Sequence, residues 1–266
     1  MIFLKSLHVK SDNEQLYTVV HSPPPNIEIK RKHAVVICSP ITNEHDTCYW
    51  AMRQLALRLS RFGFHVVRFD YFAMGNSSGA SQQASLNTCV QNIVDIGQFI
   101  VESSKSEKLT YIGLRLGAAL ASMSSIRQPP DHLVLWDPVI SGKNFLMELA
   151  MMHEKFLQKM KRTEAHDHKL GREYLGYPYS DNLIAELNQI KQDEIEVPTN
   201  TSLSILTSPD NIEQDQFLEK VRSSRSLFQH EETTKWPINS QDISTLDSSF
   251  LPGQSINQIC NILKAS

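Results

Sequence analysis

Apolar positions along this chain fall into two rhythms. Ala34 to Ser39 (AVVICS), Phe64 to Phe69, Leu109 to Ile112, Leu133 to Trp136 and Leu203 to Thr207 are short, mostly continuous apolar runs. Their lack of polar alternation predicts strands covered on both faces, as in a parallel sheet. Between them apolar residues return at helical spacing. Trp50, Leu55, Leu59 and Phe62 mark a helix stopped by Gly63, Asn92 to Val101 a second, and the small-residue stretch Gly117 to Ile126 a third. Ahead of the first run, Phe3 to Val9 and Leu16 to His21 predict a β-hairpin ended by Ser22-Pro23-Pro24-Pro25. Strand, helix, strand repeated in this way predicts the α/β class. The sheet should be doubly wound and mostly parallel, with right-handed crossovers and a ligand site at the carboxyl edge of its strands.

The rhythm breaks at Gly142. From there to Glu194 only helices are expected, Phe145 to Met160 and Asp181 to Ile190 flanking a polar stretch. Residues 1–141 and 196–266 then read as the two parts of an α/β core, and 142–195 as a helical cap inserted between them. In the second part Gln216 to Val221 and Ile256 to Leu263 are expected as helices and Leu227 to His230 as a last strand. Met147, Met151, Met152, Phe156 and Met160 give the insertion a flexible apolar stripe. Such stripes cover acyl-binding pockets, though more often they are core. Lys155, Lys159, Lys161, Arg162 and Lys169 form a basic cluster there, either a solvated face or a contact for an anionic carrier or lipid headgroup.

Composition narrows the classes. A length of 266 residues with 41% hydrophobic and 21% charged residues suits one large globular domain. A net charge of -3 supplies no general basic field for nucleic acid. No apolar run approaches the roughly 18 residues of a transmembrane helix, and the N-terminus lacks the features of a signal peptide. Cys38, Cys48, Cys89 and Cys260 show no zinc-like or disulfide spacing. A cytoplasmic protein without cofactor or metal is expected, with peripheral contact at the inner membrane left open.

The chemistry centres on Thr110-Tyr111-Ile112-Gly113-Leu114-Arg115-Leu116-Gly117-Ala118-Ala119, a strand, tight turn and helix start carrying G-x-R-x-G. This is the G-x-S-x-G nucleophile elbow with one change, and the elbow presents its middle residue to a pocket. Arg115 at that position cannot serve as a nucleophile, because a guanidinium is not deprotonated in proteins. It can bind carboxylate or phosphate through its donor fork. The positive end of the helix dipole works against a cation there, so a partner acid or an anionic ligand is expected nearby. Plugging a dead site and binding an anion both remain open.

On ICSPITNEH, RFDYFAMGNSSG, GLRLGAALA and LVLWDPVISG, spanning Ala34 to Gly142, the chain resembles the α/β-hydrolase superfamily. It looks most like the exosortase A system-associated hydrolases of the second type. Beyond the insertion the resemblance thins to LSILTSPD and Trp236-Pro237. It implies a triad acid at Asp210, or at Asp137 as in thioesterase-like members, and either could face Arg115. A base would come from the loop EETTKWPIN; His230 stands at its start, and Trp236 could fill the space of the imidazole. Oxyanion-hole N–H donors would come from Leu116 and from the loop Cys38 to Asp46, which includes Ile41, with Glu44 and His45 as spare acid and base. Cys38 reads as inert packing. Asp70 should order the following loop, where Ala73 replaces the usual first glycine.

Two functions follow as expectations. One is an ester or thioester relative that binds or processes an anionic acyl compound by a non-serine route, in an open apolar-walled cavity with Arg115 at its base. The other is a catalytically inactive accessory protein of an exopolysaccharide or protein-sorting system, for which a closed cavity suffices. The implied partners are a small acyl or anionic ligand and acyl-carrier or pathway proteins.

Overall fold

The computed structural model describes residues 3–27, 31–160, 172–191, 195–209, 211–225, 228–233 and 252–265. The hairpin β1 (Phe3–Ser11) and β2 (Glu14–Ser22) forms as its alternating pattern predicts. The apolar runs become β3 (His33–Cys38), β4 (His65–Phe69), β5 (Lys108–Leu114) and β6 (His132–Trp136). Every residue of β3 and β6 is buried, which is why neither shows polar alternation. The insertion contributes β7 (Arg172–Tyr174) and β8 (Tyr177–Tyr179), and the C-terminal part β9 (Ser202–Thr207) and β10 (Gln229–Glu232). The main sheet has eight strands in the order β1-β2-β4-β3-β5-β6-β9-β10. It is parallel from β4 onward, and β2 joins it antiparallel.

Helices fill the crossovers: α1 (Thr42–Arg61), α2 (Leu86–Ser104) and α3 (Leu116–Arg127), then α4 (Gly142–Lys159), α5 (Asp181–Gln189), α6 (Ile212–Ser224) and α7 (Gly253–Ala265). The chain steps outward from β3 to β4 and then crosses back over β3 to β5. Right-handed crossovers therefore lay α1 on one face and α2 on the other. Accordingly α7 packs on α1 and α3 on α2. The order reverses between β3 and β5, so the loops leaving these two strands converge at one carboxyl edge. That edge carries the site.

Three expectations are corrected. α1 begins at Thr42, not near Trp50, with Ile41 before it making no side-chain cap. Its opening residues are polar, yet Asn43, Glu44 and Thr47 are buried, so hydrophobic periodicity could not reveal this turn. Nor is the insertion purely helical. β7 and β8 form a hairpin turning through Leu175 and Gly176, and it buries Tyr174 and Tyr179 edge-on with ring centres 5.2 Å apart. The methionine stripe splits: Met152 is buried, whereas Met147, Met151 and Met160 are exposed. Among the described residues no helix is long and apolar enough to cross a membrane.

The sheet also buries three histidines. His33 and His132 bond Thr110 Oγ1 and Ser204 Oγ at 2.8 and 2.9 Å, and His21 accepts from Arg68 Nε at 3.2 Å. Burial lowers His33 and His132 to about 4; burial, then Arg68 and Arg53, lower His21 to about 3. Because the folded values lie below the unfolded 6.5, the folded chain binds fewer protons. Stability is thus full above the unfolded value and lost as pH falls toward the folded ones, with a slope of up to about 1.4 kcal/mol per pH unit for each histidine. Melting temperature should drop steeply between pH 6 and 4. His132→Gln, which keeps a donor for Ser204, should flatten that slope in thermal melts; an unchanged slope would remove His132 from the account.

Candidate functional site

β5 ends at Leu114 and α3 begins at Leu116, leaving Arg115 alone to make the turn, with φ 53° and ψ -122°. A non-glycine residue here is strained and persists because its surroundings hold it. Arg115 N donates to Trp136 O at 2.9 Å, and its carbonyl accepts from Ala118 N and Val139 N. The flanking glycines allow the close approach. A Cβ on Gly113 would lie 2.4 Å from Ala118 Cα, and one on Gly117 would lie 2.1 Å from the carbonyl oxygen of Cys38. The first glycine brings α3 onto β5 and the second brings it onto the chain leaving β3.

The side chain of Arg115 is answered by α1. Its Nε donates to Glu44 Oε1 at 3.0 Å, with the two side chains 11% and 2% exposed. Its Nη2 lies 3.5 Å from Glu148 Oε2 on α4. Burial pushes the Glu44 carboxyl above its usual range while Arg115 pulls it down, and the buried Glu44 Oε2 has no hydrogen-bond partner among the described residues. Burial also opposes the charge on Arg115, but Glu44, Asp137 and Glu148 outweigh it and raise its pKa. Arg115 is therefore a permanent, internally compensated cation.

Of the two acids expected to face Arg115, Asp137 contributes charge but not the direct ion pair. Asp137 acts on Arg115 at longer range, while its oxygens accept from Ser208 N, Ser208 Oγ and Gln214 Nε2 at 3.1, 3.0 and 2.6 Å. It pins the loop after β9 and the start of α6. Asp210 and Trp236 lie outside the described residues. His230 sits on β10 with Nε2 2.9 Å from Thr207 Oγ1, and burial lowers its pKa. The partners Glu44 and Glu148 reach the elbow from distant turns of helix. Glu44 had been singled out for its loop; nothing in the spacing marked Glu148.

The remaining candidates fall nearby. Ile41 and Leu116 are buried, at the ends of the β3 and β5 turns. His45 is in the first turns of α1, not in a loop, with Nε2 4.0 Å from Asp70 Oδ1. Asp70 orders the loop after β4: its Oδ2 accepts from Asn76 N at 2.8 Å and its carbonyl from Ser77 Oγ at 2.6 Å. Ala73 takes the left-handed φ of 63° that a glycine would favour. Burial pushes the Cys38 thiol up, so it is no nucleophile. His45 and Asp70 line a cavity of about 460 Å³ between β2, β4, α1 and the β8 segment. Neither Arg115 nor Leu116 is in its wall, so the expected cavity based on Arg115 is not this one. Among the described residues no three His, Cys, Asp or Glu side chains are grouped to hold a metal.

The family model described as serine aminopeptidase, S33 (Hydrolase_4), matches residues 30–208. No curated protein matches the chain. Similar solved structures include a hypothetical protein of Pseudomonas aeruginosa, with a TM-score of 0.67 at 12% identity, covering 99% of this chain and 94% of that one. The Pyrococcus furiosus esterase Pf2001 gives 0.65 at 16% identity, with 99% and 91% covered. Est1E from Butyrivibrio proteoclasticus, solved with ferulic acid bound, gives 0.62 at 14% identity, with 97% and 96% covered. At these identities the likeness establishes the fold, which is that of the α/β hydrolases.

Proposed function

Because this chain belongs to the serine aminopeptidase S33 family of α/β hydrolases, we propose that it is a member without serine acyl-transfer chemistry, its nucleophile position taken by Arg115. The buried Arg115–Glu44 ion pair carries this reading. An incoming carboxylate at the elbow would have to compete with one already buried at 3.0 Å, so the geometry favours a plug over an anion site there. On this reading the triad base is wanting as well. His230 bonds Thr207, and the sequence holds no histidine after it. A chain closed at its elbow in this way acts as an accessory protein, with residues 142–195 as its cap. Esterases among its structural relatives make acyl and ester compounds the class of molecule it would hold without turning over.

Hydrolysis of p-nitrophenyl acetate and butyrate tests this. Wild type should not exceed buffer. Arg115→Ser combined with Glu44→Gln, which leaves no unpaired buried carboxylate, should stay inert for want of a placed imidazole. Turnover by wild type that Arg115→Ala abolishes would defeat the proposal.

A further inference from the structure

The 460 Å³ cavity beside the elbow contains a second buried cation, and among the described residues no carboxylate forms an ion pair with this one. Arg68 lies on β4 between the buried residues Val67 and Phe69 and is 8% exposed. Its Nε donates to His21 Nε2 at 3.2 Å, and its guanidinium carbon stands 5.3 Å from the centre of the Tyr49 ring. Burial weighs against its charge; the neutral Tyr49 hydroxyl hydrogen-bonds it and favours the charge, Arg53 adds to the positive potential, and Asp70 opposes that without forming an ion pair. The acids of the cavity are engaged elsewhere. Asp70 accepts from Asn76 and faces His45, and Asp46 accepts from the Tyr177 hydroxyl.

A buried guanidinium without a counter-ion is unfavourable, and its planar fork matches a carboxylate. The volume is within the range of small-molecule pockets. Val19, Met52 and Leu183 give the same cavity an apolar wall. We propose that the cavity is a binding site for a small organic carboxylate, its apolar body against Val19, Met52 and Leu183 and its head on Arg68. The site is separate from the elbow and holds whether or not the elbow is inert.

Calorimetry and thermal melts with octanoate, octanamide and inorganic phosphate test it. Octanoate should bind wild type at least about tenfold more tightly than octanamide, the order expected for hydrogen bonds to a charged partner, and phosphate, lacking the apolar body, should bind far more weakly. Arg68→Met should erase the preference for the carboxylate, and Leu183→Trp, which narrows the cavity from its roof, should weaken octanoate. Equal binding of octanoate and octanamide by wild type overturns the proposal without any variant. So does a preference that survives in Arg68→Met, or bromine density at Arg115 after soaking a brominated octanoate. None of these readings depends on ester hydrolysis.

Discussion

Arg115→Ala should destabilise the fold by about 3–5 kcal/mol, the loss typical of breaking a buried ion pair from one side. The reason is what it leaves behind. Glu44 is 2% exposed, its Oε1 loses the donor at 3.0 Å, and Oε2 has no hydrogen-bond partner among the described residues. Such a carboxyl escapes by taking up a proton, so its folded pKa rises still further above the unfolded one. Stability contributed by a raised carboxyl is lost as pH climbs through that interval, and the deficit of the variant should be larger at pH 8 than at pH 5. Adding Glu44→Gln to Arg115→Ala should return much of the loss, since position 44 then carries no buried charge, while Asp137 keeps its hydrogen bonds to Ser208 and Gln214. Urea unfolding of the three proteins at both pH values measures this. Equal stability of the single and double variants would mean that Glu44 is not what Arg115 neutralises.

Gly117→Ala is the second large effect, about 3 kcal/mol or more, at the upper end of overpacking. The added carbon would stand 2.1 Å from Cys38 O and 2.6 Å from Ser39 O, both backbone atoms. They cannot rotate aside as a side chain would. Relief would require α3 to lift away from the turn after β3, and Arg115, at the start of α3, is held by Glu44 on α1, the helix that follows that turn. The variant should lose soluble yield and melt far below wild type. Gly253→Ala is the control, because nothing lies within 4 Å of its added carbon, and it should be near neutral. A mild phenotype for Gly117→Ala would show that the elbow relaxes more easily than its contacts indicate.

What the sequence disclosed follows from what each residue does. β3, β5 and β6 were legible because burial on both faces leaves a continuous apolar run. The elbow was legible because close backbone approach demands glycine at fixed offsets from Arg115. Its pairing was not: Glu44, 71 positions away, reads as a spare acid in a pocket-facing loop, and only the helix that carries it shows that it meets Arg115. The first turns of α1 escaped detection for the same reason, since they bury polar groups against the site. β7 and β8 are too short to show a period of two. Arg68 stands in plain view inside the run Phe64 to Phe69. A charge within a strand of a doubly covered sheet is itself a signal, because such a residue is rarely buried without a partner.

Gly142 opens the proposed cap and Ile190 stands near its close, and the two are joined: Gly142 N donates to Ile190 O at 3.0 Å. A Cβ on Gly142 would strike Leu187 O at 1.7 Å, so the beginning of α4 and the end of α5 are pressed together at the core boundary. The chain therefore departs from the sheet layer and returns to it through a single gateway. The ends of the proposed cap thus meet at the core boundary, so a longer or shorter cap would leave unchanged the distance that the core must span.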